Sequence, residues 1–258
     1  MVDLPTLRVT GSGRFTIPGL GDGKISGSGR ISPEEIKISG NGSLPGGIEV
    51  PKLRKSGSLK VDGDLIAKEI DCSGSTKVYG TITTGHIENS GSLSVEGSLT
   101  GDAMRTSGST RIEGAINLSD RLDVSGSIET GDNLHAGNHI RLSGSFYISG
   151  KLSTKELEVT LNRTKSKVED GIKAEHIDVK RHDRWRGRTP GVREGELITT
   201  SITGKEVSLE NVTCDNICGE KVNIGEGCRI RGKVLYTHEI DVDEGAQLSN
   251  SPEKVGSI

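Results

Sequence analysis

A parallel β-solenoid is the fold class this sequence predicts. Three observations carry the prediction: a short marker at nearly constant spacing, apolar residues in steps of five or six, and a near absence of aromatic rings. The tripeptide Ser-Gly-Ser begins at Ser56, Ser73, Ser90, Ser107, Ser125 and Ser143, at spacings of 17, 17, 17, 18 and 18 residues. Self-similarity at a fixed period is the signature of a repeat architecture. Between markers the apolar residues run Leu59, Leu65, Ile70, then Thr76, Ile82, Ile87, then Leu93, Leu99, Met104, and continue as Ile116, Leu122, Ile128, Leu134, Ile140, Phe146, Leu152 and Leu157. A second apolar residue often follows two positions on, as at Val61, Val78, Val95, Ile112 and Ile148, which is the alternation of a short strand with one face buried.

Each unit therefore holds three strands too short to be stable alone. They bury their inner faces only by coiling, so that equivalent strands of successive units stack in parallel. The expected product is an all-β, three-sided, single-stranded parallel β-helix of about 17–18 residues per coil. Glycine after the first strand (Gly63, Gly80, Gly97, Gly114, Gly150) supplies one corner, and Ser-Gly-Ser marks another.

Composition agrees. Of 258 residues, 31% are hydrophobic and 2% aromatic, with 37 Gly, two Phe, three Tyr and one Trp, so a thick core built on rings is excluded. A narrow bore filled by aliphatic columns is not. The net charge of −3 and the regular apolar spacing exclude disorder, and so near-neutral a balance argues against a dedicated nucleic-acid binder. The start, MVDLPTLRVTGSG, has Asp3 and Pro5 and no apolar run, so neither a secretory signal nor a membrane span is expected there. Cys72, Cys214, Cys218 and Cys228 are too few and too unevenly placed for a disulfide framework, which suits a reducing, cytoplasmic setting.

Along the chain, residues 1–55 show Gly-Ser punctuation at uneven spacing and five of the seven prolines, and read as irregular coils or a cap. Residues 56–160 are regular β-helix repeats. Residues 161–196 hold a strand pair (Ile172, Ala174, Ile177, Val179) and a protruding basic loop, residues 197–250 resume the coils through Val207, Val212, Ile217, Val222, Cys228, Val234 and Ile240, and residues 251–258 form a tail.

The segment LITTSITGKEVSLENVTCDNICGEKVNIGEGCRIRGKVLYTHEIDVDEGAQL, following a run of Gly-punctuated strands, resembles the bactofilins and related polymer-forming cytoskeletal proteins. The likeness rests chiefly on Gly204, Val207, Leu209, Glu210-Asn211, Gly219, Val222, Ile224-Gly225, Gly227-Cys228, Ile230 and Tyr236. The resemblance implies a right-handed β-helix that polymerises end to end without nucleotide or other cofactor, and that often associates with membrane or cell envelope. Independently, a β-helix leaves unpaired backbone groups on its terminal coils, which must be paired with another molecule or blocked. The N-terminal prolines suggest a block, hence a dimer or one-ended contact through the C-terminal coils. The expectation is a self-associating cytoplasmic scaffold, peripheral to the membrane, and not an enzyme.

The candidate sites are few. Glu96 and Glu113 stack about one strand spacing apart, which invites a glycosidase reading, but Lys60, Lys77 and Arg111 lie in the neighbouring outward column and favour a salt-bridged face. His135 and His139 flank a corner without further metal ligands at suitable spacing, and Cys214 and Cys228 fall at inward positions. Neither metal nor catalytic residues are assigned. The one concentrated charge is the loop with Lys180, Arg181, Arg184, Trp185, Arg186 and Arg188, which reads either as a solvated hairpin or as a docking point for a membrane, envelope polymer or protein partner. The alternative class is a β-helix enzyme, either a polysaccharide-active one or a hexapeptide-type acyltransferase suggested by NIGEGCRIRG with His238 nearby. Either would need a cleft with convergent polar groups.

Overall fold

The computed structural model describes residues 4–182 and 195–257. All the regular structure there is β, stacked for most of its length in parallel as a β-solenoid. The chain divides into two compact units, Met1–Ser119 and Asp120–Ile258.

The first unit opens with β1 (Leu7–Ile17), β2 (Gly21–Ile31), β3 (Glu35–Pro45), β4 (Ile48–Asp62), β5 (Leu65–Val78) and β6 (Ile82–Asn89). From β3 onward neighbours are parallel. Glu35 lies opposite Lys52 and Ile48 opposite Leu65, which is the 17-residue period of the sequence made physical. Three inner columns follow directly: Ile48, Leu65, Ile82 and Leu99; Leu53, Ile70, Ile87 and Met104; Val61, Val78, Val95 and Ile112. All twelve are buried. Each aliphatic side chain so enclosed contributes roughly 1.5–3 kcal/mol, which is how a chain almost without rings builds a core.

The Ser-Gly-Ser marker is a corner. Gly11, Gly27, Gly40, Gly57 and Gly74 stand in register, and all have positive φ, from +87° at Gly11 to +126° at Gly27. A Cβ on Gly57 would come within 2.2 Å of the Gly40 carbonyl oxygen, and one on Gly108 within 1.8 Å of that of Gly91. Coils could not stack this closely with any other residue.

Just inside that corner runs a polar column that the apolar pattern hides. Lys55, Cys72, Asn89 and Thr106 occupy equivalent positions on successive coils, and all are buried. The Lys55 ammonium donates to the carbonyls of Gly57 (2.8 Å) and Ser75 (2.5 Å). Asn89 donates to the Gly91 carbonyl at 3.2 Å and accepts from the Gly91 amide at 3.1 Å. These bonds satisfy backbone groups that the sharp turn leaves without ladder partners, and burial lowers the Lys55 pKa.

Residues 7–45 are regular but run differently, because β1, β2 and β3 form an antiparallel meander. Two turns make it. Ile17-Pro18-Gly19-Leu20 closes with the Leu20 amide donating to the Ile17 carbonyl at 3.0 Å and Gly19 at φ +79°, a type II turn with proline and glycine where that turn requires them. Ser32-Pro33-Glu34-Glu35 closes through the Ser32 amide to the Glu35 carbonyl at 2.9 Å, with the Ser32 hydroxyl accepting from the Glu35 amide at 3.2 Å. Pro18 and Pro33 thus serve the reversals. The inner face is closed by side chains instead: Leu4 and Phe15 are buried, and the Phe15 ring fills the space over Gly23, where an added Cβ would meet it at 2.2 Å.

In the second unit the same logic gives columns Leu122, Ile140, Leu157, Ile177, Val207 and Val222, and Leu134, Leu152, Ile172, Ile202, Ile217 and Val234. All are buried. Outward charges pair with the next coil, as in Arg141 with Glu158 at 2.8 Å, Lys165 with Glu196 at 2.9 Å and Lys205 with Glu175 at 2.5 Å. Exposed pairs of this kind contribute at most about 1 kcal/mol each.

Candidate functional site

The regular packing fails at one place among the described residues, the last coils of the second unit. Strand Asn216–Ile224 pairs with strand Val234–Val242, but the register slips between them: Gly219 lies opposite Tyr236, whereas Lys221 lies opposite Glu239. One extra residue has entered the later strand. Such a bulge bends its strand and re-aims the side chains around it, here Thr237 and His238, whose hydroxyl and Nδ1 lie 2.9 Å apart.

Beyond the bulge the inner face is uncovered. Val222 and Ile224 are buried, yet their register partners are Ile240, half-buried, and Val242, 37% exposed. Ile230 is buried and its partner Leu248 is half-buried. The next strand, Glu253–Lys254, pairs only with Leu235 and Tyr236, so nothing described lies over Ile240 and Val242. Ile240 was expected to close the inward series; the bulge and the lack of a covering strand leave it open.

A concavity of about 750 Å³ lies over these coils. Its lining includes His176, Glu206, Lys221, Tyr236, Glu239 and Asp241. Glu206 is held by His176 Nδ1 at 3.1 Å and by the Lys221 ammonium at 3.4 Å, and these two hydrogen-bond partners lower its pKa, Lys221 more than His176. Asp178, also in the lining, turns one oxygen to the Lys180 ammonium at 2.5 Å, while its other oxygen is buried without a hydrogen-bond partner. Glu239 and Asp241 have no ion-pair partner among the described residues.

Of the expected docking residues, Lys180 and Arg181 end strand His176–Arg181, beside this concavity. Arg181 reaches along the coils, its guanidinium 2.7 Å from Glu226 and 3.5 Å from Glu210, with its amide donating to Glu210 at 2.9 Å. Arg184, Trp185, Arg186 and Arg188 lie outside the described residues. Elsewhere, Glu96 pairs with Lys77 at 3.0 Å, and Tyr79 lies between the ammonium groups of Lys60 and Lys77, 4.7 and 4.3 Å from its centroid. His135 bonds the Ser153 hydroxyl at 2.9 Å and His139 bonds Glu156 at 3.3 Å. Cys72, Cys214 and Cys228 are buried, and burial pushes the thiol pKa up to about 12 at Cys214 and about 11 at Cys228. Among the described residues no three His, Cys, Asp or Glu side chains converge as a metal site, and no helix is long and apolar enough to cross a membrane.

Fold and site together define a β-solenoid protein whose last described coils leave part of their inner face uncovered. No family model matches the chain, and no solved structure matches it. It is similar to the uncharacterized protein YhbF of Bacillus subtilis (strain 168), with 32% identity over 99 residues, 38% of this chain and 40% of that protein.

Proposed function

We propose that this chain is a structural scaffold of the bactofilin type that associates with copies of itself through its C-terminal coils, without nucleotide or cofactor, on the cytoplasmic side of the cell. The observation that carries the reading is the partly uncovered inner face at Ile240, half-buried, and Val242, exposed. An apolar coil end with free strand edges is a template for a second molecule, and a like end on another copy offers the same residues, giving an isologous contact. Lys180 and Arg181 add a lateral docking point. Negative-stain electron microscopy of the purified chain over a range of concentration and salt tests this. Paired particles whose share grows with concentration are the expected result, and isolated particles throughout would defeat it.

A second reading, a β-helix enzyme acting on polysaccharide, is favoured by one observation: the lining of the concavity includes Glu239 and Asp241, two residues apart on one strand and without ion-pair partners among the described residues. Its test is release of reducing ends from a panel of glycans, abolished by Asp241→Asn.

A further inference from the structure

We propose that the outer edge of β1 is a docking site for an extended acidic segment of another protein, which adds to the sheet as one more strand and sets carboxylates opposite Arg8 and Arg14. Among the described residues β1 pairs with β2 and with no other strand. Its 11 residues therefore present a row of unpaired N–H and C=O groups along the other side, a template for strand addition.

Charge says which strand is missing. In the coils that follow, an outward cation meets an acid on a neighbouring coil: Arg54 pairs with Asp71 at 3.2 Å, Lys77 with Glu96 at 3.0 Å and Arg141 with Glu158 at 2.8 Å. β1 breaks this rule. Its Arg8 lies opposite Arg30, which in turn lies opposite Lys37, and its Arg14 lies opposite Lys24. Like charges placed directly opposite one another destabilise a sheet. Arg8 and Arg14 are exposed, and neither has an ion-pair partner among the described residues. The remaining cross-strand position beside each arginine is on the unpaired side, where an acid restores the alternation of sign.

Register then writes the partner's pattern. Gly11 stands at positive φ in line with Gly27, Gly40 and Gly57, so an added strand turns the same corner and needs glycine there. Arg8 and Arg14 are each three residues from Gly11. The segment that fits is an acid, two residues, glycine, two residues and an acid, the same in either strand direction. Positions opposite Val9 and Phe15, both buried, face inward and take apolar residues. The same charges reject a second copy, because two β1 strands paired antiparallel about Gly11 would set Arg8 against Arg14 twice. Nucleic acid would answer the charges and leave the backbone edge unpaired, whereas an acidic strand satisfies both. The edge belongs to the first unit and does not rest on self-association through the C-terminal coils.

The test is fluorescence anisotropy of a labelled peptide, Val-Glu-Val-Thr-Gly-Thr-Val-Glu-Val, titrated with the full chain. Two controls accompany it: a scramble of the same composition with adjacent glutamates, and a peptide with lysine in place of both glutamates. Saturable binding of the first peptide alone is expected. Arg8→Glu/Arg14→Glu should weaken that binding about tenfold or more and should bind the lysine peptide instead. This variant should melt no lower than the parent, because each new acid faces Arg30 or Lys24 on β2, so the exchange of preference is not lost folding. No binding of the acidic peptide, equal binding of the scramble, or a charge-reversed chain that does not prefer the lysine peptide would each overturn the proposal. Displacement of the peptide by duplex DNA at equal charge would do the same. So would a peptide that disperses the parent's larger species in sedimentation, since a second copy would then hold this edge.

Discussion

The first described strands of the chain and its last described ones differ at their inner faces, which are covered in one case and partly open in the other. In β1–β3 the chain folds back on itself twice, and Leu4 and Phe15 seal the interior. In the coils after Gly219 the register slips by one residue, and Ile240, Val242 and Leu248 are left partly open to solvent. Among the described residues one inner face is covered and the other is not. A covered inner face has no apolar surface to offer, whereas an open one does, so under the proposed scaffold reading the contrast favours a limited, one-ended contact at the C-terminal coils.

The strongest way to break the contrast is to open the closed end. Phe15→Ala should cost about 3–5 kcal/mol in chemical denaturation, as expected for deleting a buried ring, and should expose a second apolar end that broadens the size distribution of particles. Corner glycines sharpen it next. Gly57→Ala places a Cβ 2.2 Å from the Gly40 carbonyl oxygen, whereas Gly11→Ala, in the outermost coil, meets nothing within 4 Å. The second change should cost only the left-handed backbone penalty of about 1–2 kcal/mol, and the first clearly more. If both cost the same, stacking is not what demands the glycine.

Lys55→Ala removes the donor to two corner carbonyls and should destabilise by about 1–3 kcal/mol. Because burial lowers the Lys55 pKa below its ordinary 10.5, the unfolded chain binds more protons between the two values. The parent should therefore gain stability over the variant as pH rises through that window, which denaturation curves at stepped pH would show. The smallest effect concerns the thiols. Cys72, Cys214 and Cys228 should not react with a thiol reagent until the chain unfolds, because burial raises all three above the ordinary range, while the half-buried Cys218 should react first.

Much of the fold was legible because a stacked coil writes its period into the sequence. Leu65, Ile82 and Leu99 are neighbours in space for the same reason that they are 17 residues apart, and the Ser-Gly-Ser marker could be read as a corner from the chemistry of glycine. The direction of β2 was not legible, since alternation reads the same both ways. The informative signals were Pro18-Gly19 and Pro33-Glu34, turn chemistry easily taken for breakage or blocking. The buried Lys55 was hidden because lysine normally faces water, although Cys72, Asn89 and Thr106, the residues preceding later markers, mark the position as an interior one. The one-residue slip at Thr237–His238 is announced by no periodicity.

Sedimentation velocity across a concentration series, comparing the parent chain with Val242→Asp, tests the central claim most directly. Val242 is exposed in the single molecule, so the substitution should leave the melting temperature unchanged while removing a contact between copies. The parent is expected to shift to larger species as concentration rises, and Val242→Asp to weaken that association by about 2 kcal/mol or more, roughly thirtyfold. A parent that stays monomeric, or a variant that associates equally well, would contradict the account.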